Sequence, residues 1–257
     1  MSKNLCIIQA RMGSTRLPGK VLKKLGEATV LEYLLKRVAQ SKLIDKTVIA
    51  TTNQAADDPI QVLCQKIGVD CFRGSESDVL DRHYQCALKY PEYDTIIRIT
   101  GDCPLIDPRV IDRVVNFFQA GHYDYVNNNF VTEPDQETFP DGMDVEVFSR
   151  QALTVAAKKA KLYSEREHVT PYLRHNKKFK KGLVRAKDNF SNFRLTVDHQ
   201  ADLEVIQFIV ANSPMDASYL DYVALLQKNP EIMEKNMDIN RNEGYFKALK
   251  NDFFVKK

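Results

Sequence analysis

The chain has 257 residues, a formal net charge of +3 and 44% hydrophobic residues. This apolar content excludes an intrinsically disordered chain, and so small a charge excess excludes a general nucleic-acid or membrane-surface binder. The length fits one large α/β domain or two small ones. The five cysteines are odd in number and form no C-x-x-C pair, so we expect neither structural disulfides nor a thiolate zinc site.

Strand-like and helix-like segments alternate through the first half of the chain. The predicted strands cover residues 5–10, 47–52, 70–73 and 94–100, and the predicted helices cover 30–38, 57–67, 78–90 and 108–118. The apolar run at residues 5–8 is too short for a signal peptide or a membrane span, so we expect a cytoplasmic protein without a membrane partner. The alternation predicts an α/β fold with a mainly parallel sheet.

The second half of the chain is more mixed. Strands are predicted at residues 123–127 and 143–148, a helix at 152–161, and a strand pair at 183–186 and 193–197. Residues 127–142 are predicted to form a mobile loop over a ligand site. Without a linker-like tract, we expect a single domain over 1–257, with a substrate-side insertion at about 123–195 and a helical tail at about 213–257.

The loop after the first strand carries the strongest chemical signal. Residues 11–20 contain three cations, two hydroxyls and two glycines beyond the carboxyl end of a buried strand, where ligands of parallel sheets bind. Basic side chains and flexible backbone N–H groups suit a polyphosphate. The alternative is a solvated basic turn.

Two aspartates follow other predicted strands. Asp102 lies in Thr100-Gly101-Asp102, and Asp198 ends the segment Thr196-Val197-Asp198. Mg²⁺ usually takes one or two carboxylates together with phosphate oxygens and water, so the pair is a candidate metal site. The alternatives are an Asx turn at Asp102 and a helix cap at Asp198.

These motifs together resemble the cytidylyltransferases, or CMP-sugar synthetases, which activate octulosonate and sialic-acid-like sugars. The first loop resembles their signature through Ser-Thr-Arg-Leu-Pro-Gly-Lys at residues 14–20. The spore coat polysaccharide biosynthesis protein F branch is the most similar, at residues 72–76, 78–80, 102–108, 142–146, 166–172 and 196–198.

The resemblance implies a nucleotide-diphospho-sugar transferase fold, a three-layer αβα sandwich with a mixed, mostly parallel sheet. It also implies an Mg²⁺-dependent enzyme that joins CTP to a sugar acid, giving a CMP-sugar and pyrophosphate for surface polysaccharides. By position, it implies nucleotide contacts at Gln9, Ala10, Arg11, Gly13, Ser14, Arg73, Asp78 and Thr100, and catalytic roles for Arg16, Lys20 and Asp102. It implies metal ligation by Asp102 and Asp198, and sugar contacts at Asn127, Met143, Glu146, Arg166, Glu167 and His168.

Several alternatives remain open at this stage. The octulosonate enzymes carry Gln-Gly-Asp where this chain has Thr100-Gly101-Asp102, so a base-reading amide is missing and a guanylyl- or uridylyltransferase stays open. A GT-A glycosyltransferase is disfavoured because no Asp-x-Asp follows the fourth strand. A non-catalytic nucleotide- or sugar-binding subunit is disfavoured by the presence of Lys20, Asp102 and Asp198 together. Because family members are often dimers, a homodimer is a further expectation.

The charged run around His168 has two interpretations. His168 and Arg166 are expected to contact the substrate, and Arg166 could pair with a sugar carboxylate. The alternative is salt-bridged structure at the start of a helix. The basic run at residues 177–181 is interpreted as a solvated turn and not as a nucleic-acid site.

Overall fold

The alternating pattern folds into a central sheet with helices on both faces. The computed structural model describes residues 3–129 and 137–255. Its strands are β1 (Asn4–Gln9), β2 (Lys24–Leu25), β3 (Ala28–Thr29), β4 (Lys46–Thr52), β5 (Asp70–Gly74), β6 (Thr95–Thr100), β7 (Tyr125–Asn127), β8 (Glu146–Ser149) and β9 (Lys181–Leu183). Its α-helices are α1 (Val30–Val38), α2 (Asp58–Ile67), α3 (Val79–Leu88), α4 (Pro108–Gly121), α5 (Arg150–Lys159), α6 (Tyr163–His168), α7 (Pro171–His175), α8 (Gln200–Asn212), α9 (Tyr219–Gln227), α10 (Pro230–Met233) and α11 (Glu243–Lys250).

Seven of these strands form one mixed sheet in the order β5-β4-β1-β6-β8-β7-β9. The strands β5, β4, β1 and β6 are parallel, whereas β8 runs antiparallel to both of its neighbours. Strands β2 and β3 form a separate hairpin. The carboxyl ends of β1 and β6 are adjacent, because Gln9 pairs with Thr100. The loops after these two strands therefore meet at one edge of the sheet.

The side chains of β1 alternate between two apolar layers. Cys6 and Ile8 pack in the cluster that contains buried residues of α1, α2 and α4. Leu5 and Ile7 face the other way, into the cluster formed with α3, α5 and α7. Burial of each large aliphatic side chain contributes about 1.5–3 kcal/mol. The result is a three-layer αβα sandwich, as the family resemblance implies.

The predicted strand pair at residues 183–186 and 193–197 is wrong, because β9 ends at Leu183 and pairs with β7. Residues 193–197 form no extended strand with 183–186, and only an isolated bridge joins Arg194 to Asp141. The backbone here is pressed against Gly142, whose φ is +95° and whose added Cβ would lie 2.5 Å from the Leu195 carbonyl oxygen. The Leu195 N–H donates to the Asp141 carbonyl at 2.7 Å, so the segment pairs with the 141–142 turn instead.

Part of the predicted loop at 127–142 lies outside the described residues, namely residues 130–136. Within 3–129 and 137–255, no helix has the length and apolar character needed to cross a bilayer. Helices α6 and α7, which the sequence indicated only as a charged run, lie on the α3 side of the sheet and contact each other.

Candidate active site

A buried carboxylate holds the loop after β1 against the sheet. Asp57 is 2% exposed and accepts the Met12 backbone N–H at 2.7 Å and the Thr52 hydroxyl at 2.5 Å. Burial raises the pKa of Asp57, but the hydrogen bonds from Thr52 and Met12 outweigh it, so the pKa lies below its usual value. Asp57 precedes α2 as predicted, yet its side chain makes no capping bond. It anchors the basic loop, a role that no local sequence signal indicates.

The chain reverses at Gly19 and brings Lys20 inward. Gly19 has φ +66°, and its N–H donates to the Met12 carbonyl at 3.2 Å. This left-handed conformation favours glycine over residues with a side chain. Lys20 then begins a short 3₁₀-helix (Lys20–Leu22) and is only 9% exposed. The interpretation of residues 11–20 as a solvated basic turn is therefore wrong at Lys20.

The Lys20 ammonium lies between the two predicted acids. Its Nζ is 2.7 Å from Asp102 Oδ2 and 2.7 Å from Asp198 Oδ1. Burial lowers the pKa of Lys20, but the two carboxylates raise it further, so the net shift is upward. Burial raises the pKa of Asp198, and Lys20 and Arg16 together bring it well below its usual range. Lys20 and Asp198 are therefore both charged at neutral pH.

Neither acid serves the local structural role that was the alternative. The backbone N–H groups of Asp198 and His199 donate to Asp202 at 2.9 and 2.8 Å, so Asp202 satisfies the start of α8. Helix α4 is capped by Asp107, which accepts the Arg109 N–H at 2.9 Å. The carboxylates of Asp102 and Asp198 are therefore free to face the basic loop.

Arg194 is a second arginine, besides Arg16, that contacts Asp198. Arg194 is 6% exposed, and its guanidinium lies 3.3 Å from Asp198, 2.8 Å from Asp202 and 2.6 Å from Asp141. Sequence reasoning missed Arg194 because a basic residue beside a predicted strand carries no particular signal. Its contacts fix the position of Asp198 relative to α8.

The acid pair fits a divalent cation in its donor chemistry. Two carboxylate oxygens converge on a single point, because both lie 2.7 Å from the same nitrogen. That point is held by the ammonium of Lys20, a cation supplied by the protein. Among the described residues, no group of three or more His, Cys, Asp or Glu side chains could hold a metal ion. Two carboxylates completed by phosphate oxygens are nevertheless a usual Mg²⁺ environment.

The cluster opens into a cavity of about 790 Å³ at the carboxyl edge of β1 and β6. This volume is typical of a small-molecule site. Most of the residues predicted as site residues line it. These are Gln9, Ala10, Arg11, Gly13, Ser14, Arg16, Lys20, Thr100, Asp102, Glu146, Glu167, His168 and Asp198.

Five predicted site residues do not line the cavity. Arg73 instead lies 2.6 Å from Asp58, and its Nε donates to the Thr52 carbonyl at 2.9 Å. Asp78 caps α3 by accepting the Asp81 N–H at 2.8 Å, and its other oxygen pairs with Arg166. Arg73 and Asp78 are therefore each paired with an opposite charge within the fold.

The other three are buried by packing. Arg166 is 5% exposed and donates to Asp78 and to the Ala157 carbonyl. Met143 is fully buried in the apolar core. Asn127 is 7% exposed, and its amide donates to the backbone carbonyl of Asn129. A sequence motif gives the position of such residues along the chain but not the direction of their side chains.

Glu146 lines the cavity but is surrounded by donors. Its Oε1 accepts the hydroxyls of Tyr125 and Thr170, both at 2.6 Å, and lies 3.0 Å from an Arg174 nitrogen. Its Oε2 pairs with Arg98. Burial raises the pKa of Glu146, but the two arginines and the hydroxyls reduce it to about 2. The carboxylate is ionised at neutral pH and joins β8 to β6 and α7.

The C-terminal segment, which the sequence predicts only as a helical tail, forms one wall of the cavity. Glu243 lies 3.3 Å from Arg16 and 3.2 Å from His199, so α11 contacts the basic loop directly. The Phe253 ring stacks on Tyr163 at 5.1 Å, and both residues line the cavity. No motif in the tail indicates this position, because it depends on contacts between distant parts of the chain.

Comparisons with known proteins agree with this geometry. A sequence profile described as Cytidylyltransferase matches residues 5–239. The chain is 37% identical over 243 residues to the spore coat polysaccharide biosynthesis protein SpsF of Bacillus subtilis, covering 90% of this chain and 97% of that protein.

Two solved structures are similar as well. A cytidylyltransferase from Leptospira borgpetersenii has a TM-score of 0.86 and 37% identity, with 94% of this chain and 100% of that chain covered. A CMP:2-keto-3-deoxy-manno-octonic acid synthetase complexed with CTP has a TM-score of 0.62 at 18% identity, covering 82% and 99%, and shares the fold. The profile and the SpsF relative each match most of this chain, which therefore belongs to the cytidylyltransferase family and is a nucleotidyltransferase.

Proposed function

We propose that the protein transfers the cytidylyl group of CTP to a sugar acid in an Mg²⁺-dependent reaction, releasing pyrophosphate and a CMP-sugar. The observation that carries this proposal is the convergence of Asp102 and Asp198 on one cationic position, 2.7 Å from each, beside the basic loop. Support for CTP and for a 2-keto-3-deoxy acid comes from the synthetase of the same fold that was solved with CTP. Support for a polysaccharide pathway comes from the SpsF relative.

In this proposal, the residues of the loop bind and orient the triphosphate. The backbone N–H of Gly13 and the hydroxyl of Ser14 donate to phosphate oxygens, while Arg11 and Arg16 offset phosphate charge. Arg16 exchanges its partners Asp198 and Glu243 for phosphate when the nucleotide binds.

The acceptor hydroxyl loses its proton to water as its oxygen attacks the α-phosphorus. The new oxygen–phosphorus bond forms, and the bond to the departing pyrophosphate breaks. Lys20 offsets the charge that develops on the pyrophosphate, and Asp102 and Asp198 would hold the Mg²⁺ ion. A bound Mg²⁺ supplies charge neutralisation at phosphate and a lower pKa for the attacking hydroxyl. The protein itself contributes positioning and fixed charges and forms no covalent intermediate.

The test is pyrophosphate release from each of the four NTPs with Mg²⁺ and a panel of 2-keto-3-deoxy acids and sugar phosphates. We expect release only with CTP and a keto acid. Asp102→Asn should reduce that rate by roughly 10²–10³-fold, the usual cost of one lost electrostatic contact at a reacting centre. Asp70→Asn is the matched control, because Asp70 is an exposed acid paired with Lys46 outside the cavity.

Three results would contradict the proposal. Release only with UTP or GTP and a sugar phosphate would assign a uridylyl- or guanylyltransferase. Full Mg²⁺-dependent turnover by Asp102→Asn would show that the reaction does not need the acid pair. No release with any pair, together with binding of a UDP-sugar, would favour glycosyl transfer.

A further inference from the structure

His168 is the last residue of α6, and a strained turn follows it. The Thr170 N–H donates to the His168 carbonyl at 2.8 Å, which closes a γ-turn around Val169. Val169 has φ +70° and ψ −54°, which is the rare and strained form of this turn. A β-branched residue seldom adopts a positive φ. Strain of this kind persists mainly at functional sites, where the surrounding structure holds the residue in place.

The turn separates one core residue from two residues of the cavity wall. Val169 is fully buried in the apolar cluster that contains α3 and α5. His168 and Thr170 both line the cavity, and the Thr170 hydroxyl donates to Glu146 at 2.6 Å. The core packing of Val169 and the bond to Glu146 therefore fix the backbone of His168 at the cavity wall.

The ring of His168 is held by a distant part of the chain. The Tyr245 ring meets it edge to face, with 5.1 Å between the ring centroids and 87° between the ring planes. A hydrogen bond to the Gly244 backbone raises the pKa of His168, so the ring is the donor in that bond. Within residues 3–129 and 137–255, Nε2 has no hydrogen-bond partner, which leaves Nδ1 as the donor. Two consecutive residues of α11 thus set the orientation of the ring.

The second nitrogen of His168 is a free acceptor at neutral pH. Burial reduces the pKa of His168 to about 4, so the ring is neutral at pH 7. A neutral imidazole has one N–H group, and since Nδ1 carries it, Nε2 keeps a lone pair. A buried acceptor without a partner is destabilising. A hydroxyl group of a bound ligand would supply the missing hydrogen bond.

Tyr245 is itself fixed, because the segment of residues 241–255 is attached at both ends. Arg241 forms ion pairs with two carboxylates at 2.6 Å each. At the other end, the Val255 N–H donates to the Lys161 carbonyl at 2.8 Å, just before α6. Tyr245 lies between these attachments and is 5% exposed, so its ring has little freedom to leave the histidine.

We propose that Tyr245 is a positioning residue for the acceptor, because it fixes the His168 ring so that Nε2 accepts a hydrogen bond from a non-reacting hydroxyl of the bound acceptor. This inference rests on the proposed function and on the expectation that His168 contacts the sugar. Tyr245 acts through His168 and does not touch the reacting atoms. It lies beyond residue 239, where the match to the family profile ends.

The first test measures KM values in pyrophosphate release with CTP and the keto acid that gives the highest rate. Tyr245→Leu should raise the KM for the keto acid by roughly 3–10-fold, the value of one neutral hydrogen bond, and leave the KM for CTP unchanged. Tyr245→Phe keeps the ring and should retain both wild-type KM values. Tyr172→Leu is the matched control, because Tyr172 forms an edge-to-face pair with Phe179 outside the cavity lining. It should leave both KM values unchanged.

A double-mutant cycle then tests whether Tyr245 acts through His168. His168→Phe keeps an aromatic ring but removes Nε2, so it should raise the KM for the keto acid at least as much as Tyr245→Leu does. Addition of Tyr245→Leu to His168→Phe should raise this KM no further, because the group that Tyr245 positions is already absent.

The second measurement requires no turnover. In protein labelled with nitrogen-15 at histidine, NMR at pH 7 should show a single tautomer of His168 with the proton on Nδ1, and His168→Phe assigns its signals. Tyr245→Leu should give averaged tautomers, whereas Tyr245→Phe should keep the single one. If Tyr245→Leu does not fold, the wild-type spectrum decides the outcome.

Three outcomes overturn the assignment. They are an unchanged KM for the keto acid in Tyr245→Leu, an equal further rise in the His168→Phe background, and averaged tautomers or a proton on Nε2 in the wild-type protein. Failure of pyrophosphate release with an intact single tautomer would refute the transfer reaction alone. Intact release with no effect of Tyr245→Leu on the KM for the keto acid would refute the role of Tyr245 alone.

Discussion

Replacement of Glu146 by Gln should destabilise the protein strongly, although this residue lines the cavity. The substitution keeps the size of the side chain and removes the negative charge between Arg98 and Arg174. The Gln amide also places an N–H₂ donor against groups that in the wild-type protein donate to carboxylate oxygens, among them the hydroxyls of Tyr125 and Thr170. Two buried guanidinium groups would then lack their shared counterion.

The loss in the free energy of unfolding can be derived in two ways, and the two values agree. Removal of one partner from a buried ion pair typically costs about 3–5 kcal/mol of the free energy of unfolding. The pKa of Glu146 is reduced from 4.5 to about 2, and a shift of this size corresponds to about 3 kcal/mol. Because the pKa in the folded state is depressed, this stabilisation is fully present above about pH 4.5 and is lost as the pH falls through about 2.

The measurement is urea unfolding of the wild-type protein and Glu146→Gln at pH 7 and pH 3.5. We expect a loss of about 3 kcal/mol at pH 7, and this difference should narrow by about 1 kcal/mol at pH 3.5. Glu204→Gln is the control, because Glu204 is an exposed acid paired with Lys235. The urea midpoint of this variant should equal that of the wild-type protein. A loss under about 1 kcal/mol at pH 7, or a difference that does not narrow, would refute the role of Glu146 as a buried counterion.

Three further changes have defined outcomes. Lys20→Ala should slow pyrophosphate release at saturating CTP by roughly 10²–10³-fold, and an unchanged rate would exclude Lys20 from the reaction. Glu243→Gln should tighten CTP binding in calorimetry by roughly 2–5-fold, because Arg16 loses a competing partner; weaker binding would contradict this. Burial reduces the pKa of His83 to about 3 from 6.5, so stability should fall by about 2 kcal/mol from pH 6.5 to pH 5 as the unfolded chain takes up the proton. Burial also lowers the pKa of His168, to about 4, so His168 adds a decrease of its own in this pH range. Urea unfolding of His83→Phe should show a decrease that is smaller by about 2 kcal/mol, and an identical pH slope would show that His83 does not contribute.

The sequence was sufficient for the parallel strands β1, β4, β5 and β6, because their signal is local. Apolar runs such as residues 5–10 and 94–100 became β1 and β6, and the rule that parallel strands place their carboxyl ends together brought Lys20 towards Asp102. The position of Asp198 followed from the same rule, although the strand predicted before it does not form. The wrong strand did not affect the predicted position of Asp198, because the segment pairs with the 141–142 turn and still ends at the same edge of the sheet.

What the sequence could not provide was the direction of side chains and the contacts between distant segments. Arg166 and Asp78 are both polar residues within motifs, yet they satisfy each other and not a ligand. The contact between Asp57 and Met12 depends on how α2 and the first loop approach one another. The wall formed by α11 depends on packing that joins residues more than 200 positions apart, such as Arg16 and Glu243. Local spacing contains no information on these three features.

The position of the Lys20 ammonium has a consequence for the order of binding. A protein whose paired acids were unneutralised would attract divalent ions from solution before any nucleotide arrived. Here the acids already have an internal counterion, so the free protein should retain divalent ions poorly. A metal–nucleotide complex brings both a replacement cation for the acids and an anion for the displaced lysine. Metal and nucleotide should therefore enter together, and the apparent affinity for the metal should depend on the nucleotide concentration.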